Sequence, residues 1–279
     1  MDEFGNVYSQ FGEDKVLVEL LKILEDKSQL NKWACEFGAW DGLHFSNTAN
    51  LIINANYSAV LIEPNVSRFE TLEKNMASYP ILALNSSVEL DGKNTLDNLL
   101  SQTIIPKNLD LMSIDIDGAD YWVFEGLKLY RPKILVIEFN PTIPKEIRFT
   151  NPRDIFSNKG SSIRSICELA ETKSYKLCGL TTCNLFFIDS IYLELFTSRV
   201  IELEHLPEPA YVSRIWQTFD GAIHVEPEIS LLWHDVRAPI SKIQVIPKNF
   251  KHFPGSMGII RLTLFKFWRT LFGKLKFDE

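Results

Sequence analysis

Trp33-Ala34-Cys35-Glu36-Phe37-Gly38-Ala39-Trp40-Asp41-Gly42 is the stretch that decides the fold. An apolar run closes on the acid Glu36, and glycines follow at positions 38 and 42. Asn31 and Lys32 precede the run, and polar residues return at His44. This pattern predicts a buried strand that breaks into a tight turn. Glycine at such a turn permits positive φ and lets the backbone approach a ligand closely. The spacing is E-x-G-x-x-x-G, not the G-x-G-x-x-G with which dinucleotide folds bring a helix N-terminus to a pyrophosphate. An acid ahead of the glycines repels phosphate and attracts an amino group. The pattern therefore favours a ligand with a cationic end and no phosphate, of which S-adenosylmethionine is the common one. A turn that binds nothing is the alternative.

The next strand carries the second half of the argument. Ser58-Ala59-Val60-Leu61-Ile62-Glu63 is apolar and β-branched and ends in a carboxylate 27 residues after Glu36. An acid at the tip of the second strand is placed to bind both hydroxyls of a ribose, because a carboxylate accepts two hydrogen bonds at once. Charged residues also terminate strands with no ligand, but two acids in register at consecutive strand ends favour binding.

Strand-like and helix-like segments then alternate. Helical spacing covers Glu13 to Asp26, Arg68 to Ala77, Thr95 to Gln102, Tyr121 to Leu129 and Ser162 to Thr172. Apolar strand patterns cover Ile81 to Asn85, Leu109 to Asp117, Lys133 to Phe139 and Asn184 to Asp189, and Cys178 and Cys183 flank a hairpin. Alternating α and β with apolar strands means a mostly parallel sheet covered by helices on both faces.

Composition narrows the function classes. The 279 residues, 46% of them hydrophobic, suffice for one large core plus an appendage. A net charge of −7 argues against a nucleic-acid surface, which rests on Lys and Arg. Cys35, Cys167, Cys178 and Cys183 form no C-x-x-C pair and read as small buried hydrophobes. Met1-Asp2-Glu3 is no signal-peptide start, and no apolar run spans a bilayer, so a cytoplasmic protein is expected.

The densest chemistry is Ser113-Ile114-Asp115-Ile116-Asp117-Gly118-Ala119-Asp120. Strand alternation predicts Asp115 and Asp117 on one side, and Asp120 caps the following helix. Two adjacent like charges are costly unless paired or bound to a cation. Asp115 and Asp117 are therefore candidates for general base, for contact to a cationic ligand, or for ligands to Mg²⁺ or Ca²⁺. Asp115 is the first choice of base and Asp117 the second. Glu138 and Asn140 add an acid and an amide to the same rim. His44, after the glycine loop, is the better histidine candidate, with His224 behind it; a surface role is the plainer reading of both.

With these landmarks in order, the chain resembles the FkbM-like branch of class I S-adenosylmethionine-dependent methyltransferases. The resemblance rests on Tyr8-Ser9-Gln10-Phe11-Gly12-Glu13-Asp14, Glu36 to Gly42, Leu61-Ile62-Glu63-Pro64 and Ser113 to Gly118, and covers roughly residues 8–190. It implies a Rossmann-like seven-stranded sheet whose last strand is antiparallel. It further implies that Glu36, Gly38, Ala39 and Gly42 hold the methionine part of the cofactor, Glu63 the ribose, and Asn85 or Ser86 the adenine, with Asp115 beside the methyl group. Related sugar O-methyltransferases carry a metal-binding acid near this strand end; here Gly118-Ala119 separate Asp117 from Asp120. Trp40 fills the stretch where many methyltransferases have a third glycine. The expected activity is O-methylation of a sugar or glycoconjugate hydroxyl. A nucleotide-dependent oxidoreductase and a non-catalytic scaffold of the same fold are the alternatives.

The C-terminal part differs. The expected organisation is a cofactor-binding domain over 1–200, a β-rich extension over 201–257 and a basic amphipathic helix over 258–279. Val212 to Trp216 and Ile243 to Ile246 read as strands, and Phe219-Asp220-Gly221-Ala222 as a hairpin turn. From Gly258 to Phe277, Ile260, Leu264, Phe267, Trp268, Leu271 and Leu275 share a helix face, with Arg261, Lys266, Arg269, Lys274 and Lys276 mainly on the rest of its circumference. Such a helix suits either a membrane interface or docking on the domain itself or on a second subunit of a homo-oligomer. The other expected partner is a small-molecule or glycan acceptor.

Overall fold

A computed structural model of the chain describes residues 7–273. Met1–Ala210 and Tyr211–Glu279 form two compact units. The first contains α1 (Glu13–Glu25), β1 (Trp33–Phe37), α2 (Ala49–Ala55), β2 (Ser58–Ile62), α3 (Val66–Met76), β3 (Ile81–Leu84), α4 (Leu96–Ser101), β4 (Leu111–Ile114), α5 (Asp120–Gly126), β5 (Ile134–Glu138), α6 (Ile163–Thr172), β6 (Tyr175–Leu180) and β7 (Asn184–Asp189). One seven-stranded sheet runs in the order β3-β2-β1-β4-β5-β7-β6. Strands β1 to β5 pair in parallel, and β7 is antiparallel to both β5 and β6. This is the Rossmann-like seven-stranded sheet, with one antiparallel strand, that the resemblance implies.

Period-two alternation sorts the sheet's side chains into two cores. Cys35, Phe37, Val60, Ile62, Met112, Ile114, Leu135 and Ile137 pack with α4, α5 and α6. Ala34, Ala59, Leu61, Leu111, Ile134 and Val136 pack with α1, α2 and α3. All four cysteines are buried and free, and burial pushes the Cys178 thiol up to about 12. At the sheet's other edge a buried ion pair, Lys133 Nζ to Asp110 Oδ1 at 2.5 Å, anchors the starts of β4 and β5.

Two local readings need correction, and the hairpin reading holds. The short α2 carries too few turns to show a period, and the pattern along the sequence missed it. Strand β4 stops at Ile114, because Asp117 takes a left-handed φ of +58° and the chain has already turned. Strand β6 emerges as the first arm of the hairpin that Cys178 and Cys183 mark.

The second unit holds β8 (Arg214–Gln217), β9 (Ile223–Glu226), β10 (Ser230–Leu231), β11 (Val236–Arg237) and α7 (Ile259–Phe272). Two small antiparallel sheets result, β8 with β9 and β10 with β11. The turn between β8 and β9 is closed by Thr218 N–H to Ala222 O, and Asp220 accepts from Ala222 N–H. Ile243 to Ile246 is not a strand. Ile240–Ile243 forms a 3₁₀ turn, and the Gln244 amide bonds both N–H and C=O of Ile223, doing with a side chain what a strand backbone would. In α7, Trp268 leaves the expected stripe: it packs with Phe250 and Phe265, while Ile260, Leu264, Phe267 and Leu271 are exposed. Lys274, Leu275 and Lys276 lie outside the described residues.

Candidate active site

The strand order reverses between β1 and β4, which opens a crevice at the carboxyl ends of the strands where ligands of such sheets bind. Register aligns Phe37 with both Ile62 and Ile114, and Ile114 with Ile137. One residue further, Glu63, Gly38, Asp115 and Glu138 form a row, which Asn184 extends opposite Glu138. Alternation places Glu36, Glu138 and Asn184 on the sheet face that carries α1, α2 and α3.

The glycine loop is fixed by its backbone. Gly38 has a φ of +77°, and a Cβ there would stand 1.9 Å from the carbonyl oxygen of Asp115. Gly38 and the buried Ala39 both donate N–H to Ile62 O. Gly42, at φ +79°, packs on Met76. Trp40 N–H donates to Glu63 Oε2 at 3.0 Å, and Asn65 N–H to Oε1 at 2.8 Å. The buried Glu63 thus ties the two loops together and keeps one lone pair on each oxygen. The Arg68 guanidinium covers the Trp40 ring at 4.1 Å.

Glu36 is committed inward. Its Oε2 accepts from Ser46 Oγ and Thr48 Oγ1, each at 2.6 Å, and its Oε1 from Asn47 N–H at 2.7 Å. Asn47 in turn donates to Ser113 Oγ at 3.0 Å. Burial raises the Glu36 carboxyl, and these hydrogen bonds oppose the rise. Its structural work is to hold the segment that leads into α2; one lone pair remains on Oε1.

The acids after β4 converge with the acid that ends β5. Carboxylate oxygens of Asp115, Asp117 and Glu138 lie within 4.8 Å of one another. The turn at Asp117 makes this approach, not strand alternation. Among the described residues, none donates a hydrogen bond to any of the three. Burial, then the negative charges of Asp120, Asp117, Glu36 and Glu13, holds the Asp115 carboxyl well above the usual range. Burial and then Asp115, Asp120 and Asp117 do the same to Glu138. Two unit charges about 5 Å apart at an effective dielectric near 20 repel by roughly 3 kcal/mol, so the half-buried pair Asp115 and Glu138 favours sharing a proton or facing a cation.

Asp120 does not cap α5. It accepts Ile116 N–H and Gly118 N–H, both at 2.9 Å, and so shapes the acidic loop; burial pushes it up to about 6. Gly118 is required there, since a Cβ would meet Ser157 O at 2.4 Å.

The remaining candidates sit further out. Asn85 donates to Glu63 O and Pro64 O, closing the turn after β2, and Ser86 Oγ donates to Ser87 O. The exposed His44 ring contacts Trp40 and Phe45 and lines a cleft of about 420 Å³ with Tyr8, Ser9 and Asp41. His224 stacks on Trp216 in the second unit. Sequence reasoning passed over Glu13 and Asn184 as site residues. Glu13, wholly buried at the start of α1, accepts from Thr181 Oγ1 at 2.6 Å and Asn184 Nδ2 at 3.3 Å, and Asn184 Oδ1 is buried with no partner. The Tyr8 to Asp14 motif was the available signal.

Residues 92–163, which contain β4, the acidic loop and β5, match the family model of the methyltransferase FkbM domain. The resemblance read from the sequence is thereby borne out. Solved structures similar to this chain include a candidate caffeoyl-CoA O-methyltransferase from Staphylococcus aureus, 14% identical, with 63% of this chain and 83% of that chain covered and a TM-score of 0.42. The CurJ carbon methyltransferase is 10% identical, with 66% and 56% covered and a TM-score of 0.42. The N-methyltransferase NodS from Bradyrhizobium japonicum WM9 is 11% identical, with 63% and 96% covered and a TM-score of 0.39. No curated protein matches the chain.

Proposed function

We propose that this protein transfers a methyl group from S-adenosylmethionine to a hydroxyl oxygen of a sugar or glycoconjugate. The carrying observation is the set of acids at the switch point: Glu63, Asp115 and Glu138 stand at the ends of β2, β4 and β5 at one level and Asp117 closes on the last two, with no Lys or Arg hydrogen-bonded to them among the described residues. That donor set suits a cationic ligand with a ribose and opposes a pyrophosphate, which weighs against the oxidoreductase reading.

The residues present fit the cofactor. The free lone pairs of Glu63 would take the ribose hydroxyls, the Gly38-Ala39 loop would line the methionine part, and Asn85 or Ser86 would border the adenine. When bound, S-adenosylmethionine supplies an electrophilic methyl on a sulfonium centre. Asp115, with its raised carboxyl, is a stronger base once ionised than an ordinary aspartate and takes the proton of the acceptor hydroxyl. Asp117 stands beside it as the alternate base. Buried free cysteines fit a reducing compartment such as the cytoplasm. No helix among the described residues is long and apolar enough to cross a membrane.

Calorimetric titration of the intact chain with S-adenosylhomocysteine and, separately, with NAD tests the reading. Binding of the first and not the second is expected; the reverse result hands the site to the oxidoreductase. Binding with no turnover on any of a panel of glycan and small-molecule acceptors would favour the scaffold.

A second reading has its own observation. Three carboxylates with oxygens within 4.8 Å and no donors form an oxygen-only set suited to Mg²⁺ or Ca²⁺. Titration of the protein with each ion, read by calorimetry, separates this reading from the cofactor's own positive charge.

A further inference from the structure

The C-terminal unit has a charge pattern opposite to that of the rest of the chain. Residues 236–277 contain nine Lys and Arg and no Asp or Glu, within a protein of net charge −7. Helix α7 lies inside this run and has two apolar faces. One is already partnered: Phe250 packs against Phe265 and Trp268, with ring centroids 5.8 and 6.1 Å apart. The other is free. Ile260, Leu264, Phe267 and Leu271 recur at spacings of four, three and four, which aligns them along one side of the helix. They are exposed by 79%, 54%, 67% and 58%. By helical spacing the basic residues lie off the stripe: Arg261 to one side, Lys266 well round on the other and Arg269 opposite.

We infer that α7 lies in the interface of an anionic lipid bilayer, its Ile260-Leu264-Phe267-Leu271 stripe in the acyl boundary and the basic residues of the described part of this run, Arg237 to Arg269, over the headgroups. Charge complementarity selects this occupant. A second copy of the chain would bring two basic runs face to face. A nucleic acid would use the charges but leave a mainly aliphatic stripe in water. A bilayer of anionic lipid satisfies both features at once, since apolar burial and attraction to negative headgroups add. The inference is independent of the methyl-transfer reading.

The test uses the intact chain and sedimentation with phosphatidylcholine vesicles, with and without about 30 mol% phosphatidylserine. Binding to the anionic vesicles is expected, with much weaker binding to the neutral ones and loss of most binding in high salt. Because Phe267 and Leu264 are exposed, Phe267→Glu and Leu264→Glu are expected to keep the melting temperature yet weaken vesicle binding about tenfold or more. Failure of the intact chain to sediment with anionic vesicles overturns the inference. So does wild-type binding by both variants. A fall in molar mass on Phe267→Glu, measured by light scattering without vesicles, would assign the stripe to self-association and also overturn it. Tighter retention on duplex DNA than on vesicles, insensitive to both variants, would assign the basic run to nucleic acid with the same consequence.

Discussion

Gly38 and Asp115 are in backbone contact across the switch point: a Cβ on residue 38 would stand 1.9 Å from the Asp115 carbonyl oxygen. The loop after β1 and the backbone of the acid after β4 therefore pack directly against each other, with no room for a side chain between them. What the sequence presents as two motifs about 77 residues apart is one physical unit.

Gly38→Ala is expected to be strongly destabilising. The left-handed backbone alone costs an alanine about 1 kcal/mol. The overlap falls on a main-chain atom that cannot rotate away, so the total loss is expected to exceed about 3 kcal/mol. Gly42→Ala meets side chains and no backbone, the flexible Met76 at 2.7 Å from its Cγ and Leu72 Cγ at 3.4 Å, and is expected to cost clearly less. Urea unfolding of the two variants measures the difference.

Glu63→Gln separates ligand binding from loop anchoring. The amide keeps one acceptor for the Trp40 or Asn65 N–H and loses the charge. Affinity for S-adenosylhomocysteine is expected to fall about tenfold, or roughly 1.4 kcal/mol, by calorimetry. Glu36→Ala should show the opposite balance. Three donors, Ser46 Oγ, Thr48 Oγ1 and Asn47 N–H, lose their buried acceptor, so stability is expected to drop by about 2–4 kcal/mol.

The row of acids was legible because each acid ends a strand, and strands of a parallel sheet end at one edge. Glu63, Asp115 and Glu138 could be placed from apolar runs alone. What each carboxylate does with its lone pairs was not legible. Glu36 turns to Ser46, Asn47 and Thr48, and those partners lie before a helix too short to show a period. Asp120 bonds Ile116 and Gly118 because Asp117 turns left-handed, a backbone choice that composition does not announce. Asn184 meets Glu13 from the far end of the fold, 171 residues away. Such long-range pairs follow from topology, which was available, and from side-chain rotamers, which were not.

The acids also predict how stability varies with pH. Asp120 is raised to about 6, and Asp115 and Glu138 are raised well above the ordinary carboxylate range. The folded protein thus holds protons that the unfolded chain releases near pH 4. Between that value and the raised ones, the folded state binds more protons, so stability falls as pH rises. The ligand-free protein is expected to melt several degrees higher at pH 5.5 than at pH 8, by scanning calorimetry. The double variant Asp115→Asn, Glu138→Gln removes two of the groups and should flatten the slope.

Asp115→Asn carries the mechanism. The amide matches the carboxylate in shape, accepts no proton, and relieves the repulsion from Asp120, Asp117, Glu36 and Glu13. Three results are expected together. Turnover on an identified acceptor falls at least about a hundredfold, the loss of a positioned base. Affinity for S-adenosylhomocysteine stays within a few-fold, because Glu63 and the glycine loop are untouched. The melting temperature at pH 8 rises, because a buried charge facing like charges has gone. The wild-type rate should fall as pH drops through the raised value of Asp115, since the base works only when ionised, and this limb should vanish in the variant. If excess chelator abolishes wild-type turnover and Mg²⁺ restores it, while the variant no longer binds the ion, Asp115 acts as a metal ligand and not as the base. Full turnover in chelator leaves proton transfer as its role, and an unchanged rate in Asp115→Asn moves the base to Asp117.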